Sequence, residues 1–340
     1  LVDAETGHRS ASGAFVVDAG SVEDCVLRAL RTRHRNTVVV PFDSDVGATA
    51  VALRRLAPAM VFNLTEWFEG NRGLDHAIAG VLEMLGLPYT GTGPGGLQLC
   101  RDKMLSKQIV ARLEIKVPRD FALDLPHSRA VPTSFPLLVK PRFGDGSDAI
   151  GNASLVRTPM ELNRRLRMVR KRNGAAVCEE FIPGRDLYVG LLGTPPRVLS
   201  PFELVIESRR AGAPQFATYH LKNNRSYAKK WCVRYRRAIL DKALRKEIDA
   251  ASYKIFCALG LRDYARLDFR LTADGQLFFI EANPNPDLSP HTYGRNACLA
   301  GQDYTGLILD IVAAAQRRSN KARKRTVPRG DLRSIGNDQR

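Results

Sequence analysis

The fold is decided by two stretches of the sequence, Tyr264-Ala-Arg266-Leu-Asp268-Phe-Arg270 and Leu277-Phe-Phe-Ile-Glu281-Ala-Asn283-Pro-Asn285-Pro. In the first, apolar and polar side chains alternate, which is the pattern of a β-strand with one buried face, and in the second Glu281 and Asn283 point to the same side of a strand. Thr272-Ala-Asp274-Gly275 lies between them, and Asp-Gly between two alternating segments is a strong signal for a hairpin turn. The sequence therefore predicts a β-hairpin whose two polar faces lie side by side.

Three oxygen-bearing side chains share the polar face of this hairpin, namely Asp268, Glu281 and Asn283. Carboxylate and amide oxygens suit Mg²⁺ or Mn²⁺, and Mg²⁺ is usually held by one or two carboxylates together with water and substrate phosphates. The alternative is a solvated face on which Asp and Arg pair with each other. A carboxylate that follows Phe-Phe-Ile should be partly buried and needs a partner, which favours the metal. We predict a metal site at these three residues, and phosphate chemistry with it.

The composition indicates an ordinary globular protein. The chain has 340 residues, of which 44% are hydrophobic and 26% charged, so it is long enough for two or three packed subdomains. Its six cysteines are scattered and include no C-x-x-C pair. Reduced thiols therefore fit better than a disulfide framework or a zinc site.

The ends of the chain, and its lack of long apolar runs, bear on where the protein is located in the cell. No run approaches eighteen apolar residues, and residues 1–9 lack the apolar region of a signal peptide, so we expect a cytoplasmic protein without membrane contact. Because the sequence begins with Leu1 and not Met, we also expect a trimmed N-terminus. Residues 319–340 are basic and polar, and we predict a disordered tail.

The formal net charge of +17 favours anionic partners. Much of the excess lies in the runs 164–172 and 234–237 and in the tail segment 317–325. A solvated helix face explains the first run. Contact of the basic segments with nucleic acid or with an acidic partner is the alternative.

The pattern of apolar segments divides the chain into three regions and a tail. In residues 1–95, strand-like segments at 14–17, 37–42 and 60–64 alternate with helical ones at 21–33, 46–57 and 74–85, which is typical of an α/β domain with parallel strands. Residues 96–195 begin with a helix at about 95–113 and read as a small α+β lobe. Residues 196–318 read as a second α+β lobe with the metal site, including a strand at 216–221 and a helix near 238–259.

Two lysines stand where phosphate could bind. Lys140 ends the strand-like segment 135–140 and is followed by the glycine-rich loop 144–151, whose backbone N–H groups could approach phosphate oxygens. The spacing is not that of a Walker P-loop, and a plain turn is the alternative. Lys103 follows the turn Thr90-Gly-Thr-Gly-Pro-Gly-Gly96, whose setting does not fit a dinucleotide-binding motif.

A bend between two strands offers a place for an adenine. It is the segment Val177-Cys-Glu179-Glu180-Phe181-Ile182-Pro-Gly184-Arg-Asp186. Exposed backbone, apolar walls at Phe181 and Ile182, and an acid for ribose hydroxyls would suit a nucleoside. By itself the segment is only a hairpin.

The order of these motifs resembles the ATP-grasp ligases, and within them most closely the D-alanine–D-alanine ligases. The likeness spans about residues 60–310, and its most specific part is Arg266-x-Asp268 followed by Glu281-x-Asn283-x-x-Pro286. It implies an ATP-grasp fold of mixed α/β and α+β class, in which an N-terminal α/β (pre-ATP-grasp) substrate domain precedes two α+β lobes that clasp ATP.

The resemblance also implies roles for single residues. Asp268, Glu281 and Asn283 match the ligands of two Mg²⁺ ions, and Arg266 matches an arginine that stabilises the oxyanion of a tetrahedral intermediate. The positions that match ATP-binding residues are Lys103, Lys140 and Lys222 at the phosphates, Glu179, Glu180 and Ile182 at the adenine, and Asp186 at the ribose.

The implied activity is an ATP-dependent joining of a small carboxylate to an amine. It proceeds through an acyl phosphate and releases ADP and phosphate. The acceptor half departs from the family pattern, because Asp287 replaces a glycine and Thr292 replaces a substrate-binding serine, which argues against a simple D-alanine pocket. The alternatives are a ligase for another amino acid or peptide, and an inactive nucleotide-binding protein associated with nucleic acid. A homodimer is a further expectation.

Overall fold

A computed structural model describes residues 1–121, 134–144, 149–208 and 210–326. None of the helices within these residues combines the length and the apolarity needed to cross a bilayer. The N-terminal region consists of β1 (Val2–Asp3), β2 (Gly7–Arg9), β3 (Phe15–Val17), α1 (Val22–Arg31), β4 (Pro41–Phe42), α2 (Val46–Leu56) and α3 (Asp75–Met84).

The strands of the N-terminal region are shorter than the sequence predicts. β1 pairs with β4 in parallel, and β2 with β3 as an antiparallel hairpin. Of the predicted strand 37–42 only Pro41–Phe42 is a strand, and the segment 60–64 contributes a single parallel bridge from Val61 to Tyr89. The predicted mixture of helices with parallel pairing is nevertheless present.

The central region holds a four-stranded sheet. Its elements are α4 (Pro94–Arg101), α5 (Lys103–Ala111), β5 (Asp120–Phe121), β6 (Leu137–Pro141), β7 (Leu155–Val156), α6 (Pro159–Asn173) and β8 (Ala176–Glu180). The strand order is β5-β8-β6-β7, and every pairing is antiparallel. The single helix predicted for about 95–113 is interrupted at Asp102, whose extended backbone ends α4 and whose side chain caps α5.

The basic helix α6 is not solvated on every side. Leu162, Leu166 and Val169 are buried against the sheet. Arg165 is also buried, and its guanidinium donates to the carbonyl oxygen of Ala149 and, at 2.7 Å, to Ser154 Oγ. One cation of the basic run therefore has a structural role, and the predicted solvated face applies to the exposed ones.

The C-terminal region holds the second sheet. Its elements are β9 (Arg185–Leu192), β10 (Arg197–Val198), β11 (Phe202–Ile206), α7 (Tyr219–Asn223), α8 (Arg225–Lys230), β12 (Val233–Arg237), α9 (Lys242–Ala258), β13 (Tyr264–Leu271), β14 (Leu277–Asn283), α10 (Tyr293–Leu299) and α11 (Tyr304–Thr326). The order is β12-β11-β9-β13-β14, and β10 pairs with β9. The strand predicted for 216–221 is wrong, because Thr218 caps a helix there by accepting from the Leu221 N–H.

The two faces of this sheet have opposite character. On one face Val189, Leu267 and Phe279 are fully buried in a core that α9 completes with Ile248 and Ile255. On the other face lie the polar residues predicted from the alternation. The hairpin is confirmed, since β13 and β14 pair antiparallel with Asp268 opposite Glu281 and Arg266 opposite Asn283.

Helix α11 joins the N-terminal and C-terminal regions. Arg318 donates from Nε and Nη2 to the carboxylate of Asp263 at 3.0 and 2.8 Å, and from Nη2 to the carbonyl oxygen of Tyr89 at 2.6 Å. Asp263, fully buried, also accepts from the Gly91 N–H. The helix runs on to Thr326, so the prediction of disorder is wrong for residues 319–326, and the rest of the predicted tail lies outside the described residues.

We expect Arg318→Met to destabilise the protein by about 3 kcal/mol, because it leaves the Asp263 carboxylate buried with its main charge partner removed. The measurement is the midpoint of urea unfolding. Arg317→Met is the matched control, since Arg317 is the exposed neighbour on the same helix, and it should change stability by less than about 0.5 kcal/mol. Equal midpoints for the two variants would contradict the proposed role of Arg318.

Candidate functional site

The polar face of the β13–β14 hairpin carries a buried ion pair. Arg266 donates from Nε and Nη2 to the two carboxylate oxygens of Asp268 at 2.7 and 3.1 Å. Burial opposes the charge of Arg266, but the Asp268 carboxylate outweighs it and raises the pKa of the guanidinium. The Asp–Arg pairing that the sequence left open as an alternative is therefore present, at a site that is buried and not solvated.

Glu281 is the carboxylate on which most of the cations of the site act. Burial alone would raise its pKa, yet Lys103, Lys222, Lys140 and Arg266 lower it to about 2. Four cations thus act on one ionised carboxylate, and two of them have acids of their own, Arg266 in Asp268 and Lys140 in Glu179. The surplus of positive charge suits a polyanion.

Lys140 and Glu179 belong to a buried triad with Lys107. Lys140 Nζ lies 2.5 Å from one Glu179 carboxylate oxygen, and Lys107 Nζ donates to the other. All three side chains are at most 2% exposed. Burial and the charge of Lys140 lower the pKa of Lys107 to about 8, because one carboxylate cannot balance two buried ammonium groups.

The triad changes the interpretation of two predicted residues. Glu179 was expected at the adenine, but its carboxylate is held between the two lysines; its neighbour Glu180, also predicted there, is exposed at the end of β8. Lys107 was not predicted at all. The signal for it is present in the sequence, because Lys103 and Lys107 stand four residues apart on α5 and so face the same side of the helix.

We expect Glu179→Gln to lower the free energy of unfolding by about 3 kcal/mol or more, because two buried ammonium groups would lose the carboxylate that they share. Urea unfolding measures the change. Glu180→Gln serves as the control, since the adjacent carboxylate is exposed and its loss should cost less than about 0.5 kcal/mol. A neutral effect of Glu179→Gln would show that the triad does not stabilise the packing of α5 on the central sheet.

Lys103 is positioned by the start of α5. Asp102 accepts from the N–H groups of Met104 and Leu105 and forms a two-point ion pair with Arg142, whose Nη2 lies 2.6 Å from Asp102 Oδ2. The Lys103 ammonium donates to the carbonyl oxygen of Gly144, at the start of the predicted phosphate loop. Residues 145–148 of that loop lie outside the described part of the chain.

A cleft between the two sheets brings most of the predicted nucleotide residues together. Its walls include Lys140, Glu179, Glu180, Ile182, Asp186, Lys222, Asp268 and Glu281, with Phe181, Phe216 and Ile280 as apolar surfaces. The rings of Phe181 and Phe216 meet edge to face at 5.9 Å. A larger cavity of about 850 Å³ lies in the N-terminal region, but apolar side chains dominate its lining and none of the predicted site residues reaches it.

Arg270 fixes the far end of this cleft. Its guanidinium donates to the carbonyl oxygen of Ile182 at 2.9 Å and to Asp186 Oδ1 at 2.8 Å. Asp186 Oδ2 also accepts from the Ala217 N–H at 3.1 Å. Asp186 therefore lies in the cleft with both carboxylate oxygens already engaged, and a ribose would share them with Arg270.

The third predicted metal ligand, Asn283, has its side-chain nitrogen buried without a hydrogen-bond partner. Within the described residues no three His, Cys, Asp or Glu side chains converge, so an all-acid metal site is absent there. Two carboxylates and one amide, with water and phosphate, nevertheless match the donor set of Mg²⁺. The unpartnered nitrogen is a donor from which an anionic oxygen could accept, whereas a Mg²⁺ ion would bind the amide oxygen of Asn283.

The loop after β14 is held by the glycine-rich turn at residues 90–96. Thr92 N–H donates to Asn285 Oδ1 at 2.9 Å, and Thr92 Oγ1 to the carbonyl oxygen of Pro284 at 3.1 Å. Gly91 has φ of +96°, and a Cβ there would lie 2.6 Å from Asn285 Oδ1. The glycine is therefore required by the close approach to this loop and not by a nucleotide.

Comparisons with known proteins agree with this geometry. Residues 123–313 match the family described as D-ala D-ala ligase C-terminus. The chain is 31% identical over 317 residues to the protein y4sG of Sinorhizobium fredii, covering 88% of each, and 28% identical to the D-alanine–D-alanine ligase of Aquifex aeolicus, covering 83% of this chain and 89% of that protein.

A solved structure has the same fold. The D-alanine–D-alanine ligase of Bacillus anthracis complexed with ATP superposes with a TM-score of 0.65 at 20% identity, over 90% of this chain and 95% of that one. The likeness confirms the predicted fold class.

Proposed function

The chain belongs to the D-alanine–D-alanine ligase family of the ATP-grasp ligases, and we propose that it uses ATP to join a carboxylate to an amine. The observation that carries the proposal is the cleft between the sheets, whose walls bring the cations Lys140 and Lys222 together with the carboxylates of Asp268 and Glu281. Cations beside two acids on one wall are an environment for a triphosphate with its metal. The substrates below are part of the proposal.

ATP would lie in the cleft between the sheets. Its adenine would meet Phe181 and Ile182, its ribose Asp186, and its phosphates Lys140 and Lys222, all of which line the cleft. Lys103, at the start of α5, would complete the set of lysines. Lys140 would stay paired with Glu179 and act on the phosphates as a fixed positive charge. A buried carboxylate that holds a lysine in place lowers the cost of arranging that lysine when the nucleotide arrives.

Asp268, Glu281 and Asn283 would hold Mg²⁺ on the face of the hairpin. A bound Mg²⁺ supplies neutralisation of the charge on the γ-phosphoryl group. Arg266 uses Nε and Nη2 on Asp268, and its Nη1 donates no hydrogen bond within the described residues. That N–H edge is therefore available to an oxyanion.

The proposed chemistry needs no nucleophilic side chain. A substrate carboxylate oxygen attacks the γ-phosphorus of ATP, ADP leaves, and an acyl phosphate forms. The amine nitrogen then attacks the acyl carbon, inorganic phosphate leaves, and the nitrogen loses a proton to give the amide. Arg266 would stabilise the negative charge on the carbonyl oxygen during this attack, an effect of about 3 to 4 kcal/mol for a donor so placed.

The test is phosphate release from ATP and Mg²⁺ with a panel of D- and L-amino acids and short peptides as acceptors. We expect release stimulated by acceptor and abolished in Glu281→Ala, because the cations lose their central acid and the metal a ligand. Asp274→Ala, at the exposed hairpin turn, should keep the wild-type rate. ATP binding without any stimulated release would favour the inactive nucleotide-binding protein, and wild-type rates in Glu281→Ala would refute the metal assignment.

Arg266→Ala should lower kcat by about 10²- to 10³-fold while the KM for ATP changes much less, because the guanidinium acts on the developing oxyanion. Steady-state phosphate release at varied ATP separates the two constants. Arg234→Ala is a control for loss of positive charge, since Arg234 is exposed on the edge strand and pairs with Glu207. An unchanged kcat in Arg266→Ala would contradict the assigned role.

The other expected partners stay predictions. They are a homodimer, and nucleic acid or an acidic protein at the basic C-terminal segment. The altered residues Asp287 and Thr292 concern one part of the function, the identity of the acceptor.

A further inference from the structure

The polar face of the second sheet extends beyond the metal strands as an aromatic strip. Tyr188 on β9 stands opposite Asp268, and Phe202 on β11 stands opposite Tyr188. The rings of Tyr188 and Phe202 stack with centroids 4.9 Å apart, and Tyr235 on β12 meets Phe202 edge to face at 5.9 Å. The strip therefore crosses three strands, from the candidate catalytic residues to the sheet edge.

Arginines lie over both ends of the strip. The guanidinium carbon of Arg266 is 5.3 Å from the Tyr188 ring. At the other end, the guanidinium carbon of Arg295 is 4.3 Å from the Tyr235 ring and 5.9 Å from that of Phe202. Aromatic faces attract and orient such cations without using their N–H groups.

The two arginines differ in their acid partners. Arg266 is neutralised by Asp268, whereas the described residues provide no carboxylate within ion-pair distance of Arg295. Arg295 is half-buried, and burial lowers its pKa. A partly desolvated guanidinium that lies against aromatic rings, with no carboxylate of the described residues beside it, is suited to bind an anion.

Helix α10 holds Arg295 in this place. Asn296 donates from Nδ2 to the carbonyl oxygens of Tyr188 and Ser200 at 3.2 and 3.0 Å. A Cβ at Gly190 would lie 2.9 Å from the Asn296 side chain, so the helix sits directly on β9. The residue next to Asn296 is thus fixed relative to the sheet.

The position that the family resemblance assigned to a substrate carboxylate is already occupied. Thr292 Oγ1 lies 3.0 Å from Asp287 Oδ2, and Asp287 also accepts from the Ser289 N–H and Ser289 Oγ. The single hydroxyl proton of Thr292 is used on Asp287, and the charge of Asp287 repels a carboxylate. Arg295 lies one helical turn further on and offers the opposite charge.

We propose that Arg295 binds a carboxylate of the amine substrate, distant from the reacting nitrogen, so that the acceptor is a peptide-like acid longer than a free amino acid. The proposal rests on the ligase function proposed above. Arg266 lies over the first strand of the strip and Arg295 over the last two, which separates them by one to two inter-strand spacings, about 5 to 10 Å. A free α-amino acid spans only about 3.5 Å, whereas an extended dipeptide covers about 7 Å and an extended tripeptide about 10 Å.

The test uses trialanine, in its all-L and all-D forms, and the C-terminal amide of each, with the wild type and Arg295→Met. Phosphate release gives kcat/KM, and calorimetric titration in the presence of ADP and Mg²⁺ gives the affinity. We expect the wild type to favour the acid over the amide by about 10- to 100-fold, which is the typical strength of a charged hydrogen bond. In Arg295→Met the acid should fall to the level of the amide, with the KM for ATP unchanged.

Arg234→Met is the matched control. It removes an exposed charge from the opposite face of β12 and should keep the preference for the acid. An equal loss for acid and amide in Arg295→Met would reduce Arg295 to a packing role, and a wild type that treats acid and amide alike would overturn the proposal. A preference in binding without phosphate release would sink the ligase function and leave the carboxylate site standing.

Discussion

The site depends on one electrostatic constraint, the burial of a single ionised carboxylate among cations. Glu281 stays charged because Lys103, Lys140, Lys222 and Arg266 act on it from different elements of the two sheets and of α5 and α7. Lys140 and Arg266 also have acid partners in Glu179 and Asp268. This cluster of cations attracts the phosphates of a nucleotide.

The pattern of apolar and polar residues explains how the charged side chains come to lie on one face of the sheet. Along β13, every second residue is apolar and buried in the core that α9 completes. On β14 Leu277 and Phe279 lie in that core, and an irregularity in the pairing between Asp268 and Phe269 puts Ala282 there next, so that Glu281 joins Asp268 on the polar face. The same register continues through β9 and β11, so that the aromatic strip and Arg295 belong to the surface that carries Asp268 and Glu281.

Sequence reasoning reached what depends on local pattern. The hairpin follows from an Asp-Gly turn between two apolar segments. The joint face of Asp268, Glu281 and Asn283 also depends on the irregular pairing between Asp268 and Phe269, without which Glu281 would point to the same side as Leu277 and Phe279. Sequence reasoning failed where contacts between distant parts of the chain determine the structure. The segment 216–221 has the apolar pattern of a strand, but the Thr218 cap makes its end a helix. Lys107 and Arg295 gain meaning only from Glu179 and Tyr235, which lie on distant strands. No local spacing encodes such partners.

The junction of Asp263, Arg318 and the turn at Gly91 also decides how the chain can be divided. The buried Asp263 carboxylate belongs to the C-terminal region, but Gly91 from the N-terminal region and Arg318 from the last helix satisfy it. An N-terminal domain grafted from a relative would thus have to bring a compatible turn, and removal of the last helix would leave an acid stranded in the interior. Exchange of domains between relatives of this enzyme is therefore limited by this junction, because the three regions that meet there must fit one another.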